Sequence, residues 1–478
     1  MNKFLHFLVI NIFIFSFLNC TKKRNDLDEI KYQFLNGNFR YAIEIIEEIE
    51  SSGISKDESS EIEIIEAKIE RIQIDFSKNE TQIKDELKPW FPNLSDEQLR
   101  RWEDENTLEM RLINGEQRYF KNAVNNLFRL DSAAKMVKEK NTGKTVDPLD
   151  DFCLQHTSKI LQEFNSNVQL IEKPQKYRID FSITIKPDVI PAGETVKCWM
   201  PFPRESLPRQ KNVKLLDVNS ESYHLAENDY FQRSLYFEKI TEAGKPTVFN
   251  YSAEFETSAQ YFKLDSAKIL EYDKNSENYK KFTAERKPHL IFSNEIKEQT
   301  KEITSGLSNP YEKTKAIYYW INNHITWASA LEYSTFECIP EYVLRNKQGD
   351  CGMQTLLFMS MARYAGIPCK WQSGWMLHPG HLNLHDWCEV YYEGIGWVPL
   401  DQSFGLQNSE NLQLKEFYIS GIDEFRLIIN DNFSCDFYPE KQFYRSEPID
   451  FQRGELEWKG GNIYFNQWDY HLDITYLN

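Results

Sequence analysis

One short run dictates a local structure that few sequences can mimic. Gly349-Asp350-Cys351-Gly352-Met353-Gln354 is followed by an apolar stretch to Ala365 and then by Gly366-Ile367-Pro368. Asp350 is of the type that caps helix N-termini, so a helix should begin at Cys351. Gly366 suits the position just past a helix C-terminus, and Pro368 prevents continuation. A cysteine at the first helical position meets unpaired backbone N–H groups and the positive end of the helix dipole. Both favour thiolate, which predicts a depressed thiol pKa.

Downstream, His385-Asp386-Trp387-Cys388-Glu389-Val390-Tyr391-Tyr392 is rich in strand formers. Glu393-Gly394-Ile395-Gly396 reads as a hairpin turn, and Trp397-Val398-Pro399-Leu400 as the returning strand. Such a hairpin carries Asp401 back beside His385. The pattern assigns Cys351 as nucleophile, His385 as its acid–base partner and Asp401 as the carboxylate that orients the imidazole. Neighbours on a strand point to opposite faces, so the Asp386 carboxylate should aim away from the imidazole, and Asp386→Asn should cost little. The Cys351 backbone N–H is one oxyanion donor. Trp327, Tyr333, Ser334 and Thr335 are candidates for the second. His378, His381 and His385 do not have the spacing of a helical zinc motif, and Pro379-Gly380 places the first two on a loop, lining the cleft mouth or exposed. No metal or cofactor is expected.

This stretch resembles the transglutaminase-like superfamily of papain-type thiol enzymes. The resemblance rests on Gly349-Asp350-Cys351, Ala365-Gly366-Ile367-Pro368, His385-Asp386-Trp387-Cys388-Glu389-Val390 and Gly396-Trp397-Val398-Pro399-Leu400-Asp401, and covers roughly residues 310–405. Asp386 departs from it, since the family more often has alanine there. The resemblance implies an α+β papain-like core with an antiparallel sheet and a Cys351-His385-Asp401 triad. It implies chemistry on peptide or amide acyl groups through a thioester, with hydrolysis (protease, peptidase or deamidase) favoured over cross-linking. A true protein transamidase, or an inactive core serving as a surface binding module, are the alternatives.

At the N-terminus, an apolar run from Phe4 to Leu18 precedes Asn19-Cys20 and the polar segment Thr21-Lys22-Lys23-Arg24. The run is short for a membrane span and suits a signal peptide. A cysteine at its end resembles a bacterial lipoprotein signal, which implies lipidation of Cys20 and attachment to a membrane at the periplasmic face or cell surface. An ordinary signal or uncleaved anchor with a chance cysteine is the alternative. The net charge of −17 argues against nucleic acid as a partner, because phosphates need a basic surface. The partner implied is a protein or peptide substrate. Besides Cys20 and Cys351, the chain has Cys153, Cys198, Cys338, Cys369, Cys388 and Cys435, too sparse a set to hold a fold by disulfides. Cys369 and Cys388 could be neighbours on the core sheet, either bonded or as two buried thiols.

The domain plan expected is a signal segment over 1–20, a mainly helical region over 21–172, a β-sandwich over 173–264, the thiol core over 265–405 and a β-rich extension of that core over 406–478. Ile43, Ile46 and Ile49, then Ile62, Ile65, Ile69 and Ile72, fall at helical spacing. Asn114-Gly115 suggests a hairpin, and a helix is expected from Pro148 to Phe164, as a docking surface or a cover for the cleft. Tyr177 to Ile185 alternates with period two, and Val196 to Met200, Ser234 to Phe237 and Val248 to Phe255 also read as strands. An Ig-like domain ahead of the thiol core is a layout the resemblance implies.

Overall fold

The computed structural model describes residues 26–52, 56–143, 147–164, 173–205 and 208–477. The chain divides into two compact units, Met1–Gly143 and Lys144–Asn478. In the first, amphipathic helices such as Phe39–Ser52 and Glu80–Leu87 accompany a small hairpin, Met110–Ile113 with Glu116–Tyr119. Asn79 caps the Glu80–Leu87 helix through a reciprocal bond with Gln82. Trp102, Tyr119, Phe120 and Leu127 are fully buried in this unit.

The second unit opens with the helix Pro148–Glu163 and then builds, among the described residues, three larger open antiparallel sheets besides two of two strands each. One has the strand order Gly396–Leu400, His381–Tyr392, Cys369–His378, Arg426–Asn430. The helix Cys351–Tyr364 is buried along almost its whole length and packs on this sheet. Its Met353, Leu356 and Leu357 share a core with Trp371, Cys388 and Val390 of the sheet, and with Ile317 and Tyr318 of the helix Pro310–His324. A helix apolar on all sides belongs at the centre of a domain, and this one is placed there. Its ends follow local chemistry: Asp350 accepts from the Met353 N–H, and Gly366 adopts the positive φ of +80° needed beyond the last turn.

The other two larger sheets correct the expectation of an Ig-like β-sandwich over 173–264. Neither sheet closes or curls; each is an open run of strands. Residues 175–257 supply only part of each. Strand Gln175–Ile185 pairs along its whole length with the C-terminal strand Trp468–Leu477, and Thr195–Pro201 pairs with Glu455–Trp458. The physical reason is the unpaired backbone of an edge strand, which the chain's last strands satisfy from nearly three hundred residues away. These sheets also share their core with the thiol sheet, through Trp375, Leu377, Leu427 and Ile429. The region is therefore not an independent sandwich.

The expected attachment to a membrane has no spanning helix behind it: among the described residues no helix is long and apolar enough to cross a membrane. Cys20, the expected lipid attachment point, and the signal segment lie outside the described residues. The seven described cysteines are all free, with Cys369 and Cys388 both buried.

Gly374 marks where the strand Cys369–His378 shifts register against Arg426–Asn430, and a Cβ there would collide with the Leu427 carbonyl oxygen. Gly374→Ala should therefore destabilise the second unit by about 1–3 kcal/mol through overpacking. The check is a lowered denaturation midpoint with an unchanged slope; an unaltered midpoint would contradict the close approach.

Candidate active site

The thiol end is built by small residues. Gly349 has no room for a side chain, because a Cβ would lie 2.9 Å from the Met353 Cβ and 3.1 Å from Val343 Cγ2. A Cβ on Gly352 would collide with the Tyr333 hydroxyl and with Asp386 Oδ2. The helix start can thus come up against both groups. The Tyr333 hydroxyl donates to the Asp350 cap, whose carboxyl is pushed up to about 6 by burial, against the hydrogen bonds it accepts.

The imidazole end follows from hairpin register. Cys388 faces Leu400 across the pair of strands, so the chain just past Leu400 runs alongside His385. His385 Nε2 lies 2.7 Å from Asp401 Oδ2, with both side chains buried. Asp401 also accepts from Arg426 Nη2 at 3.1 Å, from the Phe404 N–H at 3.3 Å and from Ser403 Oγ at 3.4 Å. Burial alone would raise the Asp401 carboxyl; the His385 imidazole and the Arg426 guanidinium outweigh it and hold it below the usual range.

Behind this pair lies a second one. Arg426 Nη1 donates to Asp423 Oδ1 at 2.9 Å, and His378 Nε2 is 3.3 Å from Asp423 Oδ2. The Arg426 guanidinium sits 4.0 Å from the centre of the Phe404 ring, which also packs edge-on against His385. His378 is fully buried, neither at a cleft mouth nor exposed, and burial pushes its pKa down. His381 is half-buried at the turn. Among the described residues no group of three or more His, Cys, Asp or Glu side chains could hold a metal ion.

The thiol and the imidazole are not hydrogen bonded to each other among the described residues. Alternation on the strand His381–Tyr392 sends Asp386 and Cys388 toward the buried helix, and His385 and Trp387 toward the opposite face. Asp386 does aim away from the imidazole, but it aims at the thiol: Cys351 Sγ donates to Asp386 Oδ2 at 3.5 Å. Gln452 Nε2 fixes the arrangement by donating to Asp386 Oδ1 at 2.7 Å and to the His385 carbonyl at 2.8 Å. Burial pushes the Cys351 thiol well above its ordinary value, and the Asp386 and Asp350 carboxyls add to the rise. This reverses the depressed pKa expected from the helix N-terminus. Desolvation and two carboxyls outweigh the dipole when no imidazole is bonded to the sulfur.

Of the oxyanion candidates, Trp327 is partly exposed beside Gly349, its strand partner. Tyr333 and Thr335 fall in a 3₁₀ turn with Ser334, their hydroxyls engaged by Asp350 and by the Glu332 carbonyl. The sequence reading missed Arg426, Asp423 and Gln452. None lies in a motif; only an isolated arginine between apolar strand residues, Arg426-Leu427-Ile428-Ile429, hints at a buried charge needing partners.

Residues 297–402 match the transglutaminase-like superfamily. The core of this chain is similar to that family. The matched span contains Cys351, His385 and Asp401. Over 194 residues, 36% of this chain, the sequence is 23% identical to the uncharacterized protein YebA of Bacillus subtilis. The match spans 26% of that relative's length. Among solved structures, a protein of Cytophaga hutchinsonii described as a candidate cysteine protease is 15% identical, with a TM-score of 0.43, covering 64% of this chain and 92% of that one. The periplasmic domain of TgpA from Pseudomonas aeruginosa is 13% identical, with a TM-score of 0.26, covering 48% and 88%.

Because the thiol pKa is raised, alkylation of Cys351 by iodoacetamide should be slow near neutral pH and keep rising through pH 9 without a plateau. Asp386→Asn removes a carboxyl that helps raise the thiol and should speed alkylation at fixed pH by about tenfold. Intact-mass kinetics check this; a plateau below pH 8 in the parent protein, or a slower variant, would contradict the arrangement.

Proposed function

We propose that this chain is an exported thiol enzyme that cleaves peptide amide bonds through Cys351, His385 and Asp401. The observation that carries the reading is the buried 2.7 Å contact of His385 Nε2 with Asp401 Oδ2, in a core that also sets a cysteine at a helix start. With Nε2 engaged by the carboxylate, Nδ1 is the nitrogen left for proton exchange. Export is part of the proposal and is supported by the apolar run over residues 4–18.

In this mechanism the thiol first leaves Asp386, and its proton passes to His385 Nδ1. The thiolate attacks the carbonyl carbon of the scissile amide, while the Cys351 backbone N–H donates to the developing oxyanion. The carbon–nitrogen bond then breaks. The imidazolium proton goes to the leaving amine, and a thioester remains on Cys351. A water molecule gives a proton to His385 as its oxygen attacks the thioester, and the carbon–sulfur bond breaks to restore the thiolate. Asp401 holds the ring and stabilises the imidazolium that forms in each half. An amine in place of water would give transamidation.

A second reading, an inactive core used for binding, is favoured by one observation: the thiol's hydrogen bond to Asp386 rather than to the imidazole. Point variants decide between them. Cys351→Ala should fold and lose all peptidase activity. Asp401→Asn should lower kcat by roughly 10²–10⁴ by disturbing the tautomer. Hydrolysis that survives in purified Cys351→Ala would refute the mechanism, and absence of any Cys351-dependent turnover across a peptide library would favour the binding reading.

A further inference from the structure

A cavity of about 390 Å³ opens beside the imidazole end of the site. Its wall includes Gln354, one turn along the helix from Cys351, and Gln402, Ser403 and Phe404, which directly follow Asp401. The Phe404 ring centre is 5.0 Å from that of His385. A side chain entering here would therefore hold the neighbouring peptide bond close to the proposed chemistry.

The charged groups lining the cavity are of one sign. At its rim stand Asp150 and Asp151, exposed in the first turn of the helix Pro148–Glu163. No lysine, arginine or histidine is among the described residues lining it. In the wall, Gln402 is 1% exposed; its Nε2 donates to the Tyr318 carbonyl at 3.3 Å, and its buried Oε1 accepts no hydrogen bond. A buried acceptor without a donor costs free energy, and it is satisfied when a ligand brings an N–H. Trp327, 38% exposed, adds an apolar face suited to methylene groups. Acceptors, negative charge and apolar wall together describe a flexible alkyl chain ending in a cation.

We propose that this cavity receives a basic side chain of the lysine type from the peptide substrate, its methylenes against Trp327 and its ammonium group between Asp150, Asp151 and the free Gln402 oxygen. The helix Pro148–Glu163 then acts as one wall of the specificity site. This inference rests on the peptide-cleaving reading, and its test separates the two.

The test uses the full chain and two acetylated pentapeptide amides, one with a central lysine and one with norleucine, which keeps the four side-chain carbons and lacks the ammonium group. Binding to Cys351→Ala is measured by calorimetry, and turnover by the parent protein is measured in parallel. Lysine should be preferred over norleucine by about three- to tenfold in both readouts, a range typical of partly exposed ion pairs. The preference should shrink as salt is raised, because the carboxylates are at the rim. In the Asp150→Asn/Asp151→Asn protein, checked for an unchanged thermal midpoint, the ratio should fall toward one. Gln402→Leu should also reduce it. Equal binding of the two peptides, or a preference that survives the double variant, overturns the subsite whether or not turnover is seen. Charge-dependent binding without turnover leaves the subsite standing and removes the peptidase reading.

Discussion

Arg426 holds together the buried polar layer on which the rest of the candidate site depends. It is fully enclosed and donates to two buried carboxylates, Asp401 and Asp423. Neither acid could stay ionised in that environment alone; burial pushes each upward, and the guanidinium is among the groups that pull each below its usual range. Removing one partner of such a cluster leaves a buried charge uncompensated, at a cost of about 3–5 kcal/mol. The Phe404 ring lies across the guanidinium and against His385, so packing of the ring and charge of the cluster fix the imidazole jointly.

A second acidic layer lies on the other side of the strand. Asp386 and Asp450 are both pushed well above the carboxylate range, Asp386 by burial and then by Asp450 and Asp350. Arg453 bonds Glu447 at 2.9 Å and Glu332 at 3.2 Å, closing this layer off. The strand His381–Tyr392 therefore separates a carboxyl held below its usual range, which faces the imidazole, from one pushed above it, which faces the thiol. The proposed mechanism requires the thiol to give up its bond to Asp386 for one to His385.

What could be read from the sequence was local. Asp350 and Gly366 specify the helix ends by capping and by a positive φ, and both act where expected. The turn between Tyr392 and Gly396 sets the hairpin register, and that register delivers Asp401 to His385. Long-range pairing was not legible. Strand Gln175–Ile185 alternates as an isolated sandwich strand would, yet one of its two partners is Trp468–Leu477, and nothing in either segment names the other. Arg426 and Gln452 reach the site from strands and loops far along the chain, by single side chains without a motif. Asp386 was visible, and its direction was correctly inferred, but what lay in that direction depended on how the helix docks against the sheet.

The most direct measurement is rapid-quench intact-protein mass spectrometry with an activated peptide ester. The account predicts a transient acyl adduct on Cys351, formed in proportion to enzyme, released by water and absent in Cys351→Ala. An enzyme that turns the ester over without any adduct on Cys351, or that carries the acyl group on another residue, would contradict it.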